Sequence, residues 1–248
     1  RTPEPRMTDE ELAAWLRLVL TPGVGTDSAR KLLAAFGLPE SIFGQTGSAL
    51  QAVVGLQRAK ALQTEPEAFP AAWQQLRDWL AAGSDRHVLT LGDARFPPAL
   101  LEMADPPLML YVLGDVNALH HPRRLAIVGS RNPTPQGESN ARQFARVFGE
   151  AGLCVVSGLA LGVDGAAHDG ALLGGGTTMA VVGTGLDRVY PKQHLALAHR
   201  IAGRGLIISE FPLGTPPLTA NFPKRNRLIS GLSQGTLVVE AALKSGSL

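Results

Sequence analysis

The segment Leu125–Gly158, LAIVGSRNPTPQGESNARQFARVFGEAGLCVVSG, holds two short apolar runs on either side of one amphipathic stretch. LAIVG (Leu125–Gly129) and LCVVSG (Leu153–Gly158) carry almost no polar residue, so each reads as a strand covered on both faces. ESNARQFARVFGEAG between them reads as a helix. The unit then repeats. VDGAAHDGALLGG is a second helix and TTMAVVG (Thr177–Gly183) a third strand; KQHLALAHRIAGRG leads to LIISE (Leu206–Glu210), and a long loop leads to TLVVE (Thr236–Glu240). Apolar strands alternating with helices make a parallel sheet with helices on both sides. The expected class is therefore α/β: a Rossmann-like, doubly wound, mainly parallel sheet.

Upstream the period changes. Thr8 or Asp9 caps a helix whose apolar face holds Trp15, Leu16, Val19 and Leu20. TPGVG breaks it, and DSARKLLAAFG follows as a second helix, capped at Thr26 or Asp27 and ended by Gly37. Further helices are expected over Ser48–Val53, Leu56–Gln63 and Glu67–Ala82. Residues 1–84 thus form a small all-α domain and residues 85–248 the α/β domain. The Pro-rich stretch 86–120, with the strands HVLTL and LMLYVLG, leads into the latter.

The chain is 45% hydrophobic and 18% charged, which is globular composition. Its net charge of +2 permits an anionic partner without demanding one, so the local distribution of charge decides. The single cysteine, Cys154, excludes an intrachain disulfide and reads as a small buried hydrophobe, which points to the cytoplasm. No apolar run approaches the ~18 residues of a membrane span. His120 and His121 have no second pair at metal spacing, so neither metal nor cofactor is expected. GSRNPT after the first strand is not a dinucleotide fingerprint, and Ser157 stands where a ribose-binding acid belongs. No Walker motif occurs, and GLALG lacks the serine of a nucleophile elbow. His168 and Asp169 could serve acid–base chemistry, but a lone histidine there is more often structural.

The informative residues lie where strands end. Gly129, Ser130 and Arg131 follow the first strand, Gly158 and Gly162 the second, and Gly183 the third. All fall on the carboxyl edge of the sheet, where ligands bind such folds. Glycines there let backbone N–H groups approach an anion. The loop that returns from Glu210 ends in NFPKRNRLIS, with Lys224, Arg225 and Arg227 in four positions and no acid between Glu210 and Glu240. Such a run reads either as a solvated face or as a phosphate-binding edge. Its coincidence with three Gly-rich turns and Arg131 favours binding.

With these residues assembled, the chain resembles the DNA-processing protein A (DprA, or Smf) family. AIVGSRNPTPQG, VVSGLALGVDGAAHDGAL, AVVGTGLDRVYP, ISEFPLGTPPLTANFPKRNRLISGLS and LVVEAALKSGSL carry the likeness in one order. The resemblance implies an extended Rossmann domain that binds single-stranded DNA, acts as a homodimer and delivers incoming strands to the RecA recombinase in natural transformation, with no catalysis. It implies binding by Gly129, Ser130 and Arg131, then by Lys224, Arg225 and Arg227 with Asn221 and Phe222. Phe222 either stacks on a base or anchors the loop against the sheet. The N-terminal domain resembles the family's sterile-alpha-motif-like or helix-hairpin-helix-like module; TPGVGTDSARKLL is a DNA-contacting hairpin or a packing unit. Many members carry a C-terminal winged-helix domain, which this chain is expected to lack. One rival stands beside this: Gly235-Thr236 with Glu240 is faintly similar to the turn of nucleotide phosphoribohydrolases, in which Glu240 assists glycosidic cleavage of a nucleoside monophosphate.

Overall fold

A computed structural model describes residues 7–241. Two compact units divide them: one runs up to Asp78 and includes Asp105–Leu108, and the other takes in the rest. The first unit is helical. Thr8 and Glu11 close a capping box on α1 (Asp9–Leu20), satisfying two N-terminal amides reciprocally. The cap of α2 (Thr26–Phe36) is Gly25, not Thr26 or Asp27 as expected. α3 (Pro39–Phe43), α4 (Gly47–Val54), α5 (Leu56–Leu62) and α6 (Phe69–Ala81) follow. Leu16, Leu18, Leu32, Ile42 and Leu62 are buried among them.

The second unit is built on seven strands: β1 (Arg86–Thr90), β2 (Met109–Gly114), β3 (Arg124–Gly129), β4 (Cys154–Ser157), β5 (Thr178–Val181), β6 (Leu206–Ser209) and β7 (Gly235–Val239). Their order is β1-β2-β6-β5-β4-β3-β7. The five strands β3 to β7 pair in parallel, whereas β2 pairs antiparallel with β6 and β1 antiparallel with β2. The α/β reading and the mainly parallel sheet hold. What the sequence leaves out is that the two lead-in strands join the same sheet.

Besides the short α7 (Pro98–Leu101), the connecting helices are α8 (Pro135–Glu150), α9 (Val163–Leu173), α10 (Leu195–Arg204) and α11 (Asn221–Leu232). Ile127 and Val155 pack with small residues of α8 and α9 on one face. Ala126, Val156 and Val181 pack with Leu228, Ile229 and Leu232 of α11 on the other. α11 carries the chain back across the sheet to β7, on the far side of β3 from β4. The winding therefore reverses between β3 and β7.

Close approach of α8 to α9 depends on Gly170. A Cβ there would lie on the Arg142 carbonyl oxygen, a backbone atom that cannot swing aside. Gly203 in α10 is the contrast, because a Cβ there meets nothing within 4 Å. Gly170→Ala is therefore expected to lower stability by about 1–3 kcal/mol through overpacking. Gly203→Ala should raise it by about 0.5 kcal/mol through helix propensity and a stiffer unfolded chain. Urea midpoints of the two variants check this, and equal shifts would refute it.

Candidate functional site

A cleft opens at the carboxyl ends of β4 and β5, beside the N-terminus of α11. Arg131, Leu161, Thr184, Tyr190, Phe222 and Arg225 line it. Phe222 is its centre. The Arg131 guanidinium lies 4.9 Å from the Phe222 ring centroid and that of Arg225 lies 5.7 Å away, both within cation–π range. The Tyr190 ring stands 6.1 Å from Phe222, tilted by 38°. Two aromatic rings and an exposed arginine thus form one floor. Arg131 makes no ion pair among the described residues, and neither do the exposed Lys224 and Lys192. Lys192 directly follows Pro191, which also lines the cleft.

The basic run of the sequence stands on a helix, not on the loop expected. Asn221, Phe222, Lys224, Arg225 and Arg227 all belong to α11. Its first turns lack the apolar period that marks a helix; Leu228, Ile229 and Leu232 bury only its second half. Its three cations have three fates. Lys224 is exposed to solvent. Arg227 reaches back to Glu210 in a bidentate pair, at 2.7 and 2.8 Å, so its charge is neutralised by the acid that opens the preceding loop. Arg225 turns inward and is only 4% exposed. Its Nη1 donates to the carbonyls of Gly158 (2.6 Å) and Val181 (2.8 Å), and its Nε donates to Asn226 Oδ1 (2.9 Å). Two of the four expected phosphate ligands are therefore engaged inside the chain. Asn221 is buried as well and donates its side-chain amide to the Gly183 carbonyl, 3.2 Å away.

The Gly-rich turns also differ from expectation. The turn after β4 wraps a carboxylate of its own chain: Asp164 Oδ2 accepts from the amides of Gly158 (3.1 Å) and Ala160 (3.4 Å). Burial pushes the Asp164 carboxyl above its ordinary range, against the opposing pull of Arg225 and these amides. Leu159, at a φ of 60°, sits between two histidines. Its N–H donates to His168 Nε2 (3.3 Å), and its carbonyl accepts from His194 Nδ1 (2.9 Å). The amides of Gly158, Leu159 and Ala160 are thus used internally, and they form a rigid wall instead of an anion cradle. Gly158 has no room for a Cβ, which would sit 2.5 Å from Arg225 Nη1. At Gly162 (φ 78°) a Cβ would press on the carbonyls of Ser130 and Arg131, so that turn locks the neighbouring one. Ser130 is held on both sides: its N–H donates to Val239 (3.3 Å), and its carbonyl accepts from Val163 (3.1 Å). A Cβ at Gly129 would meet the Val239 carbonyl. Gly183 is not crowded, since a Cβ there would make ordinary contacts with Phe222 and Asn221. Together these turns aim Arg131 and hold Phe222.

His168 is structural, as expected. It is fully buried, with Nδ1 2.6 Å from Thr178 Oγ1. Thr178 gives its own proton to the Val155 carbonyl (2.8 Å), so His168 Nδ1 carries the proton and Nε2 accepts. Glu240 does not face the cleft. Its carboxylate accepts from the Thr134 hydroxyl and from the Thr134 amide (2.7 Å) at the start of α8. The hydroxyl above all holds its pKa below the usual carboxylate range. Sequence reading missed Tyr190, Lys192, Asp164 and Glu210. Only Tyr190 carried a signal, as an aromatic two residues before Lys192.

Known proteins resemble this chain in sequence and fold. Protein Smf of Escherichia coli (strain K12) is 47% identical over 165 residues, which is 66% of this chain and 44% of that protein. The chain thus spans less than half of that relative. The X-ray structure of DNA processing protein A from Streptococcus pneumoniae is similar over 98% of this chain and 81% of its own, with a TM-score of 0.75 and 31% identity. DNA processing protein A of Helicobacter pylori, whose structure bears on single-stranded DNA binding, is 37% identical with a TM-score of 0.59, over 65% of this chain and 73% of its own. Residues 87–248 match the sequence profile of one family throughout, and the chain belongs to it: the DNA recombination-mediator protein A family.

Proposed function

We propose that this chain binds single-stranded DNA at the Phe222 cleft and acts as a recombination mediator without catalysis. The observation that carries this is the pairing of an aromatic floor, Phe222 and Tyr190, with the exposed cations Arg131, Lys192 and Lys224. Single-strand binders combine base stacking with a basic groove for the backbone. The single-stranded DNA binding of the similar Helicobacter pylori protein supports the reading. In the same proposal the DNA contacts lie within residues 85–248. The protein shields incoming strands, works as a homodimer in the cytoplasm and passes the strand to RecA.

The nucleotide-hydrolase reading is weaker on two grounds. The cleft holds about 70 Å³, whereas pockets that bury a small ligand run to roughly 300–1,000 Å³. A chain that passes over the cleft, touching it with one base and its phosphates, fits better. Glu240, the acid that hydrolysis would need, is bound to Thr134 at the start of α8.

The test is binding of a labelled oligonucleotide, single-stranded against duplex, across a salt series. Wild type should prefer the single strand. Arg131→Ala should lose about tenfold in affinity and about 0.7 in the log–log salt slope, the share of one phosphate contact. Phe222→Ala should lose a similar factor with the slope unchanged, because stacking releases no counterion. Absence of single-strand binding at low salt, or an unchanged slope in Arg131→Ala, refutes the reading.

A further inference from the structure

We infer that Arg225 is a positioning residue: it binds no DNA, and it sets the height and tilt of the Phe222 platform by bridging two strand ends. β4 and β5 pair through Ser157 and Ala180, and no rung is formed beyond them. The next carbonyls, of Gly158 and Val181, are the two that Arg225 Nη1 joins at 2.6 and 2.8 Å. The guanidinium thus replaces the missing rung where the strands part. Phe222 lies three residues earlier on the same helix, with its ring against the same guanidinium. Asn226 Oδ1 fixes the Nε side, and Asp164 supplies the counter-charge from the first turn of α9. One side chain therefore ties α11 to both walls of the cleft. A lysine could not do so, since a point charge on a flexible stem cannot span two carbonyls and an amide oxygen in fixed directions.

The residue lines the cleft, so a direct phosphate contact is the competing account, and the salt slope separates the two. Arg225→Lys and Arg225→Met are compared with Arg131→Ala for single-strand affinity, salt slope and hydrogen exchange. The affinity arm rests on the single-strand reading; the exchange arm does not. For Arg225→Lys we expect about a tenfold loss of affinity at an unchanged slope. Amide exchange should become faster in residues 158–165 and 221–224. A slope reduced by about 0.7 would make Arg225 a phosphate ligand and overturn the inference. Unchanged exchange in those segments would overturn it too, whether or not the wild type binds DNA. Should Arg225→Met fail to fold, Asp164→Asn with Arg225→Met removes both charges together and keeps the test alive. That double variant should fold and show the same faster exchange at 221–224; native exchange rates there would refute the bridging role.

Discussion

Asp164→Ala is expected to destabilise the protein by about 3–5 kcal/mol, the usual cost of leaving a buried charge without its counter-charge. Three groups lose their partner at once. Arg225, 4% exposed, keeps its charge with no carboxylate beside it. The amides of Gly158 and Ala160 lose the oxygen they share. Water cannot replace that oxygen easily, because Asp164 itself is only 6% exposed. A loss of this size is a large fraction of the roughly 5–15 kcal/mol that holds a domain together. Urea unfolding should show a lower midpoint with an unchanged slope. Asp164→Asn keeps an acceptor and should cost less. Removing Arg225 as well, in Asp164→Ala with Arg225→Met, should recover part of the loss, since two absent charges cost less than one orphan. A single-variant loss below about 1 kcal/mol would mean that Arg225 and Asp164 are independent, and the coupling argued here would fail.

That pair also marks the limit of sequence reading. The sheet was legible because LAIVG, CVV, MAVV and LIIS are continuous apolar runs, and burial on both faces leaves few other readings. The edge that carries the site followed from the same pattern. The division of labour within NFPKRNR did not. A cationic run reads as solvent-facing because Lys and Arg are almost never buried without a partner. Here the partners sit far off in sequence: Asp164 lies 61 positions before Arg225, and Glu210 lies 17 before Arg227. No local period reports such pairings. The same reason hid the use of the Gly158 and Ala160 amides. A Gly-rich turn signals close backbone approach, but not whether a phosphate or the chain's own carboxylate makes that approach. Arg131 was legible as a cleft residue because it stands at a strand end, where position alone implies exposure to a ligand; Phe222 came only from the family resemblance, in a stretch expected to be a loop. Residues 242–248, part of the last segment that suggested the family, lie outside the described residues.

Stability should fall steeply as pH drops below about 6.5, the ordinary histidine value, and His168 is the cause. Burial pulls its pKa down to about 3, with His194 and Arg225 adding repulsion. Between these two values the unfolded chain binds a proton that the folded chain refuses. The stabilisation is complete above about 6.5 and is lost toward 3, at up to ~1.4 kcal/mol per pH unit. Four carboxyls contribute lower down. Asp27, Asp93, Asp169 and Glu240 are all held below their ordinary values of 3.8, 3.8, 3.8 and 4.5, so their stabilisation is lost only in stronger acid. Asp164 works the other way: burial raises it, so the folded state takes up its proton first and gains stability as pH falls. The window between pH 6.5 and 5 therefore isolates His168 from the lowered carboxyls, and its slope is a lower bound on the histidine's share. His168→Gln keeps a donor for Thr178 and cannot titrate. It should be less stable than wild type at pH 7, yet its urea midpoint should vary far less from pH 6.5 to 5. Parallel pH profiles for the two proteins would show that His168 already accepts a proton in the folded state, and the buried neutral imidazole that fixes Leu159 would have to be abandoned.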